Sequence, residues 1–256
     1  KTEIEYSAEE MNAEDFYADD PMIITISHFG YIKRTPLIEY RTQARGGVGA
    51  KGSETRDEDF IERVFEATNH NYMLFFTEQG RCYWLRVFEI PEGSKNSKGR
   101  AIQNLLNLGP DNRVQAIIRV TKLKDPEYNE SHNIVFATKN GVVKKTALKE
   151  YSRPRTNGVI AINLLENDQL IDAVLTEGDS EIILANKNGR AIRFNENQVR
   201  NMGRPSTGVK GMTLDGPKDG IVGMICMRTG ANDNVLVVSE KGMGKRSELD
   251  DYRITH

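Results

Sequence analysis

Positively charged residues recur at one position of a repeated pattern in this chain. Five apolar segments each end in a short polar turn that contains a glycine, at Gly30, Gly80, Gly141, Gly189 and Gly242. The third and fourth residues after these glycines are Lys33-Arg34, Tyr83-Trp84, Lys144-Lys145, Ile192-Arg193 and Lys245-Arg246. Because side chains alternate along a strand, one residue of each pair would face outward. Four of the five copies could therefore offer a cation to the regularly spaced phosphates of a duplex, and ordinary solvated surface charge is the alternative.

A second candidate binding segment is the glycine-rich loop at residues 43–52. It contains Gly46, Gly47 and Gly49, and it also carries Gln43, Arg45 and Lys51. Closely spaced glycines allow a backbone to approach phosphate groups without obstruction by side chains. The flanking cations favour this function over the alternative of a flexible linker.

No pattern in the chain predicts a catalytic, nucleotide or metal site. The G-x-G-x-x-G at residues 47–52 lacks a surrounding βαβ unit, and residues 203–210 depart from the Walker pattern. The four histidines have no metal-ligand spacing, and the acidic run at residues 57–59 is typical of a solvated surface. We therefore expect this segment to have no turnover of its own and to hold no cofactor.

The repeat itself predicts the elements that position these residues. The turn glycines are 50, 61, 48 and 53 residues apart, and a second glycine follows the first by 19, 19, 17 and 19 residues, at Gly49, Gly99, Gly158 and Gly208. Each copy has apolar, β-branched segments before and after the turn and a further strand-like segment beyond the second glycine. Asn140-Gly141 and Asn188-Gly189 predict hairpins with type I′ turns.

About four strands in each copy predict an all-β, propeller-like fold of four-stranded blades. We expect an acidic linker or short frayed helix at residues 1–20. We expect blades at about 21–69, 70–130, 131–178 and 179–231, and an incomplete fifth blade at 232–256. Because the fifth copy stops before its second glycine, we expect the chain to be a fragment of a larger protein.

The distribution of charge allows a basic surface despite a net charge of −2. The first 20 residues hold one Lys and eight Asp and Glu, so the remaining 236 residues carry a net charge of +5. No apolar run reaches the length of about 20 residues that a membrane-spanning helix needs, and the first ten residues lack the features of a signal peptide. We expect a cytoplasmic protein without a membrane contact.

Several segments together resemble the C-terminal domain of DNA gyrase A. Residues 30–37, followed by residues 43–49, resemble the opening of that domain and its signature box. Residues 99–106, 140–146, 202–204 and 207–211 extend the resemblance along nearly the whole chain. Ala44 and Val48 stand where the box commonly has cations, which predicts weaker binding by this loop.

The resemblance implies a six-bladed β-pinwheel, of which this chain covers about five blades, that bends double-stranded DNA around its rim without reading its sequence. It further implies that the rest of the gyrase A protein and the gyrase B protein are partners in an A2B2 assembly, with ATP and Mg²⁺ bound in other domains. The isolated segment would be a monomer, and the assembled enzyme would associate with the nucleoid. The candidate DNA-binding residues are Lys33, Arg34, Gln43, Arg45, Gly46, Gly47, Gly49, Lys51, Arg100, Lys144, Lys145, Arg193, Arg204, Lys210, Lys245 and Arg246.

Two alternatives stay open at this stage. The C-terminal domain of the topoisomerase IV protein that corresponds to gyrase A shares the blade repeat, but its box is degenerate or absent, so the box at residues 43–49 favours gyrase. A propeller that docks proteins through apolar and aromatic residues is the second alternative, and it predicts no role for the recurring cations.

Overall fold

The computed structural model describes residues 12–40, 58–109 and 112–255, and their regular structure is almost entirely β. Strands are numbered along the chain, and the sheets are given in spatial order. The first sheet contains β3 (Ile61–Thr68), β1 (Pro21–Ser27), β2 (Tyr31–Pro36) and β6 (Arg100–Ala101). The second sheet contains β10 (Val159–Ile160), β5 (Arg81–Arg86), β4 (Tyr72–Thr77) and β7 (Val114–Val120). The third sheet contains β11 (Leu170–Thr176), β8 (Asn133–Thr138), β9 (Val142–Ala147) and β14 (Val209–Lys210).

Two smaller sheets follow, and short helices connect the strands. The fourth sheet contains β13 (Ala191–Asn195), β12 (Ser180–Asn186) and β15 (Ile221–Arg228), and the last hairpin contains β16 (Asn234–Val238) and β17 (Gly244–Glu248). The α-helices are α1 (Ile102–Leu105) and α2 (Pro126–Ser131). The 3-10 helices are η1 (Ala13–Phe16), η2 (Leu37–Glu39), η3 (Val87–Glu89), η4 (Leu148–Tyr151), η5 (Glu196–Gln198) and η6 (Leu249–Asp251). The predicted all-β architecture with four-stranded sheets is confirmed.

All five predicted hairpins form, and one side chain fixes each turn. The turn glycines have φ angles between 77° and 86°. The residue three positions earlier, which is Ser27, Thr77, Thr138, Asn186 or Ser239, accepts the glycine N–H on its carbonyl. Its side-chain oxygen accepts the N–H of the residue that follows the glycine.

The predicted type I′ geometry is wrong at the two Asn-Gly turns. Asn140 and Asn188 are not among the described residues with positive φ, whereas a type I′ turn requires positive φ at both central residues. The glycine is the fourth residue of the turn rather than the third, because its N–H closes the bond to the carbonyl of Thr138 or Asn186.

In each of the first three sheets, one of the two edge strands comes from the following repeat. Strands β6, β10 and β14 pair antiparallel with β2, β5 and β9, respectively. The second glycine stands directly before each of them, and a Cβ at Gly99 or Gly208 would lie 2.6 Å from the carbonyl oxygen of Ile32 or Val143. A glycine is therefore required where the returning chain meets the earlier strand. Each of these sheets combines residues from two consecutive repeats.

By compactness the chain divides into two units, of which one contains residues 1–72 and 85–105 and the other contains residues 73–84 and 106–256. In the second unit, the core lies between successive sheets. Phe76 and Phe136 meet edge to face at 5.3 Å between ring centroids, and Tyr151 packs on both. Farther along, Val143, Ile182, Leu184 and other buried residues join the third and fourth sheets.

In the first unit, the described part of the acidic lead-in packs against residues of the second repeat. The Tyr17 ring stacks on Phe88 with centroids 4.7 Å apart, and Glu14 forms an ion pair with Arg86. The Arg86 guanidinium lies 4.3 Å from the centroid of the Tyr72 ring. A short 3-10 helix, η1, forms where the sequence predicts a linker or a frayed helix.

Candidate nucleic-acid interface

The strand cations that were predicted to face DNA are buried. Lys33, Arg34, Lys144, Lys145 and Arg193 all have 7% or less of their surface exposed. Their nitrogen atoms donate hydrogen bonds to protein oxygens instead. The prediction that they contact phosphate needs correction, because each would have to leave its partners and the protein interior to do so.

The two buried lysines at the third position after the turn, Lys33 and Lys144, hold returning segments of chain. Lys33 Nζ donates to the carbonyls of Ser94, Lys95 and Ser97 at 2.9, 2.7 and 2.9 Å. Lys144 Nζ donates to the carbonyls of Ala161, at 2.6 Å, and Arg204. Burial, together with the nearby Arg204 guanidinium, lowers the pKa of Lys144 from 10.5 to about 7, although Glu150 opposes this shift.

Residues at the fourth position share one task although their types differ. In the first four repeats, this residue donates a hydrogen bond to a carbonyl in or just after the 3-10 helix of the next repeat. The four bonds are Arg34 Nε to Ile90 at 2.8 Å, Trp84 Nε1 to Tyr151 at 3.0 Å, Lys145 Nζ to Glu196 at 2.9 Å and Arg193 Nη1 to Leu249 at 2.9 Å. Trp84 fits this series because its indole offers a donor on an apolar side chain. The shared property is a donor that links successive repeats, not a positive charge.

Each buried charge at the fourth position has a carboxylate partner. Arg34 pairs with Glu92 at 2.8 Å, and Arg193 Nε donates to Glu181 at 2.7 Å. Lys145 lies 4.0 Å from the carboxylate of Glu196, which is fully buried and accepts from Thr176 Oγ1 and the Ser180 N–H. These partners occupy different positions in their repeats, so a repeat pattern does not predict them. Pairing and hydrogen bonds of this kind offset the free-energy cost of removing these charges from water.

Exposed cations lie in several parts of the described surface, and one set lies in the segments that carry the chain from a 3-10 helix back to the second glycine. We call residues 91–99, 152–158 and 200–208, together with the two residues that follow each, the return loops. Their exposed cations are Lys98, Arg100, Arg153, Arg155, Arg200 and Lys210, and the Arg204 side chain is 30% exposed. Among the acidic residues only Glu92 lies in these loops, and it pairs with Arg34. Each return loop is therefore a positively charged surface segment.

The return loops contain three of the predicted residues and four that the sequence reading missed. Arg100, Arg204 and Lys210 were predicted, whereas Lys98, Arg153, Arg155 and Arg200 were not. The signal that could have identified them is their place between the end of the second strand and the second glycine. Connecting segments usually run over the protein surface, so the charged side chains of a segment between the second strand and the second glycine are expected to remain in solvent.

The remaining predicted residues do not locate an interface. Gln43, Arg45, Gly46, Gly47, Gly49 and Lys51 lie outside the described residues. In the sequence repeat, Gly49 of this box corresponds to Gly99 and Gly208, which end two of the return loops. Lys245 and Arg246 are exposed, but they correspond to Lys33 and Arg34, so exposure alone does not give them a DNA contact.

Within the described ranges, no three His, Cys, Asp or Glu side chains come together as a metal would require. Of the helices that the structure describes, none has the length and apolar character needed to span a bilayer.

Comparisons with known proteins agree with this organisation. The family model described as the DNA gyrase C-terminal domain, a β-propeller, matches residues 21–66, 71–121, 132–177, 180–226 and 233–256. The DNA gyrase A protein of Salmonella typhimurium is 42% identical over 252 residues, which cover 98% of this chain and 28% of that protein. The chain thus spans little more than a quarter of that relative.

Solved structures show the same fold. The C-terminal domain of a DNA topoisomerase IV matches with a TM-score of 0.76 and 29% identity, covering 93% of this chain and 70% of that one. A DNA gyrase A C-terminal domain matches with a TM-score of 0.70 and 26% identity, covering 93% of this chain and 74% of that one. The family match covers most of the chain, and the curated relative carries the name of the same family. The chain belongs to the DNA gyrase C-terminal domain family.

Proposed function

We propose that this chain binds double-stranded DNA along its return loops, without reading the sequence, and wraps it for a type II topoisomerase of the gyrase kind. The observation that carries this proposal is the recurrence of exposed Lys and Arg in one structural position of successive repeats. Contacts to phosphate position a protein on a duplex but carry no sequence information. Cations that recur in the return loops of three successive repeats suit a long stretch of backbone better than a compact ligand.

The assembled protein in this proposal introduces negative supercoils using ATP. The partners are the remainder of the gyrase A protein and the gyrase B protein in an A2B2 assembly, which would supply the ATP and Mg²⁺ sites. The assembly would act in the bacterial cytoplasm, on the nucleoid. The part of the chain described above contributes DNA binding alone, and its buried cations contribute the stability that keeps the loops in place.

The C-terminal domain of topoisomerase IV is the second candidate, because its solved structure gives the higher of the two TM-scores. The relative with 42% identity, however, is a gyrase A protein, and residues 43–49 retain most of the box. Replacing residues 43–49 with alanine in the assembled enzyme tests the gyrase candidate against the topoisomerase IV candidate. Loss of negative supercoiling with relaxation retained supports gyrase, and unchanged negative supercoiling contradicts it.

DNA wrapping by the isolated chain can be tested with a duplex of about 100–150 base pairs, near one persistence length, that carries a fluorophore at each end. We expect binding that weakens steeply with salt and brings the two ends together, seen as increased energy transfer. Binding without increased transfer would contradict wrapping, and no binding at low salt would contradict the DNA-binding function itself.

A matched pair of variants shows whether the return loops carry the binding. Arg153→Gln with Arg155→Gln removes two exposed charges from one return loop. Lys122→Gln with Lys218→Gln removes two exposed charges outside the return loops. Only the first variant should weaken duplex binding and reduce its salt dependence. Equal weakening by both variants would indicate attraction by overall charge rather than by the loops.

A further inference from the structure

The return loop at residues 152–158 is held at both ends. At its start, the N–H and the Oγ of Ser152 donate to the Lys149 carbonyl at 3.2 and 2.8 Å. At its end, Arg81 Nη2 donates to the Asn157 carbonyl at 2.8 Å. The loop is two residues shorter than each of the other two return loops, so little chain lies between its fixed ends. A short segment between two fixed ends has few backbone conformations available.

Two arginines lie on either side of a proline in the middle of this loop. Residues 153–157 are all exposed, and they begin with Arg153, Pro154 and Arg155. Proline fixes its own φ angle and disfavours helical backbone at the residue before it, which here is Arg153. The Arg155 carbonyl accepts the Gly158 N–H at 3.0 Å, which closes a turn after the second arginine. Both arginines are therefore presented from a preorganised backbone, which lowers the entropy lost on binding.

The two guanidinium groups are available to an external anion. Among the described residues, none forms an ion pair or hydrogen bond with the side chain of Arg153 or Arg155. The loop itself contains no acidic residue. In the following return loop, by contrast, Arg204 Nε lies 3.9 Å from a carboxylate oxygen of Glu150.

The spacing and the type of these residues fit the minor groove of a duplex. Because a chain extends at most about 3.6 Å per residue, the Cα atoms of Arg153 and Arg155 are at most about 7 Å apart. The minor groove is about 6 Å wide and the major groove is about 12 Å wide. A narrow minor groove has an enhanced negative potential, and a guanidinium is more weakly hydrated than the ammonium of lysine. On wrapped DNA the minor groove faces the protein about every 10 base pairs.

We propose that Arg153 and Arg155 enter the minor groove of the bound duplex where that groove faces the chain. There both charges lie between the phosphates of the two strands, so they also contribute to the salt dependence of binding. This loop adds a preference for a narrow minor groove that lacks the guanine amino group, which is a preference for shape rather than for a particular base sequence. The inference rests on the proposed DNA-binding function and names the feature of DNA that one return loop recognises.

The return loop at residues 91–99 lacks this arrangement, although Lys98 and Arg100 are also two residues apart. The residue between them is Gly99, whose φ of 73° is a left-handed conformation that Pro154 cannot adopt. One of the two cations is a lysine, and Arg100 belongs to strand β6. The arginines of the other return loops therefore serve as an internal control.

Replacing guanine with inosine in the duplex tests this contact. Inosine lacks the amino group that guanine places in the minor groove, and its major-groove edge is the same as that of guanine. The two probes are duplexes of about 100–150 base pairs with one sequence, prepared with guanine or with inosine. We expect the chain to bind the inosine duplex about fivefold more tightly at the same salt concentration. Equal affinity for the two duplexes would overturn this inference and leave the proposed function intact, whereas no duplex binding at low salt would overturn both.

Variants that preserve charge show whether this loop carries the preference. Arg153→Lys with Arg155→Lys keeps both positive charges but removes both guanidinium groups, so the two duplexes should then bind almost equally. Arg100→Lys with Arg200→Lys makes the same change at exposed arginines of the other return loops, and its affinity ratio should match that of the unmodified chain. Any effect of inosine on duplex flexibility is common to all three proteins and cancels in this comparison. A retained preference in the first variant, or an equal loss in both, would contradict the assignment to Arg153 and Arg155.

Discussion

Replacing Lys144 with methionine tests the structural role of the buried strand cations through pH. Lys144 is fully buried, and its pKa is lowered from 10.5 to about 7 by burial and by Arg204. Between these two values the unfolded chain binds more protons at this position than the folded chain. Stability should therefore rise as the pH increases from about 7 toward 10.5. Methionine keeps an unbranched side chain of similar length and removes the titrating group.

The size of this effect follows from linkage. Between about pH 7 and pH 9, the native chain should gain about 2 kcal/mol of unfolding free energy relative to Lys144→Met. For a protein of this size that difference corresponds to about 4–8 °C in melting temperature. The gain arises because the ammonium loses its proton in the folded state at a pH where the unfolded chain still holds it.

The assay is thermal unfolding of both proteins at pH 7, 8 and 9 at constant ionic strength, followed by circular dichroism. Lys122→Met removes an exposed lysine and is the control, for which the difference from the native chain should stay constant with pH. A constant difference for Lys144→Met, or one that changes in the opposite direction, would refute the description of Lys144 as a buried group with a lowered pKa.

Further predictions concern the turns, the links between repeats and the lead-in. Gly141→Ala should destabilise the chain more than Gly189→Ala in chemical denaturation: both glycines have φ near 85°, but only at Gly141 would a Cβ meet a backbone atom, 2.5 Å from the Met212 oxygen. Equal losses would contradict the close approach. Trp84→Phe should lower the unfolding free energy by about 1–3 kcal/mol, because the Tyr151 carbonyl loses its donor. An unchanged denaturation midpoint would argue against that link. Arg86→Gln should speed proteolysis within residues 12–20, because Glu14 and the Tyr72 ring lose their partner. An unchanged cleavage rate would mean that other contacts hold this segment.

The repeat made most of the fold predictable, because backbone geometry requires a glycine at both of its recurring glycine positions. The first glycine supplies positive φ in the turn, and the second allows a strand to approach without a Cβ. The donation of β6, β10 and β14 to the preceding sheet was not predictable, because pairing between repeats leaves no signal in the spacing. The Ser, Thr or Asn three residues before each turn glycine was visible in the sequence and explains why the type I′ prediction failed.

The candidate site was predicted less well, because the same residue types serve two purposes. Lys33 and Lys144 recur in register, which is what a repeated DNA contact and a repeated structural link would both require. Burial separates these alternatives, and burial depends on the return loop of the next repeat. Trp84 was the informative exception, because a phosphate contact does not explain an indole in that series, whereas a donor to a carbonyl does.

The most direct test of the central claim is the salt dependence of duplex binding in two variants of this chain. One variant neutralises four exposed return-loop cations, Arg100, Arg153, Arg155 and Lys210, as glutamine. The other replaces buried Lys145 with methionine. Each lost phosphate contact should reduce the slope of log K against log salt by about 0.9, so the first variant should lose up to about 3.6. Lys145→Met, measured where it is fully folded, should keep the full slope. A reduced slope for Lys145→Met, or an unchanged slope for the return-loop variant, would contradict the assignment of DNA contacts to the return loops.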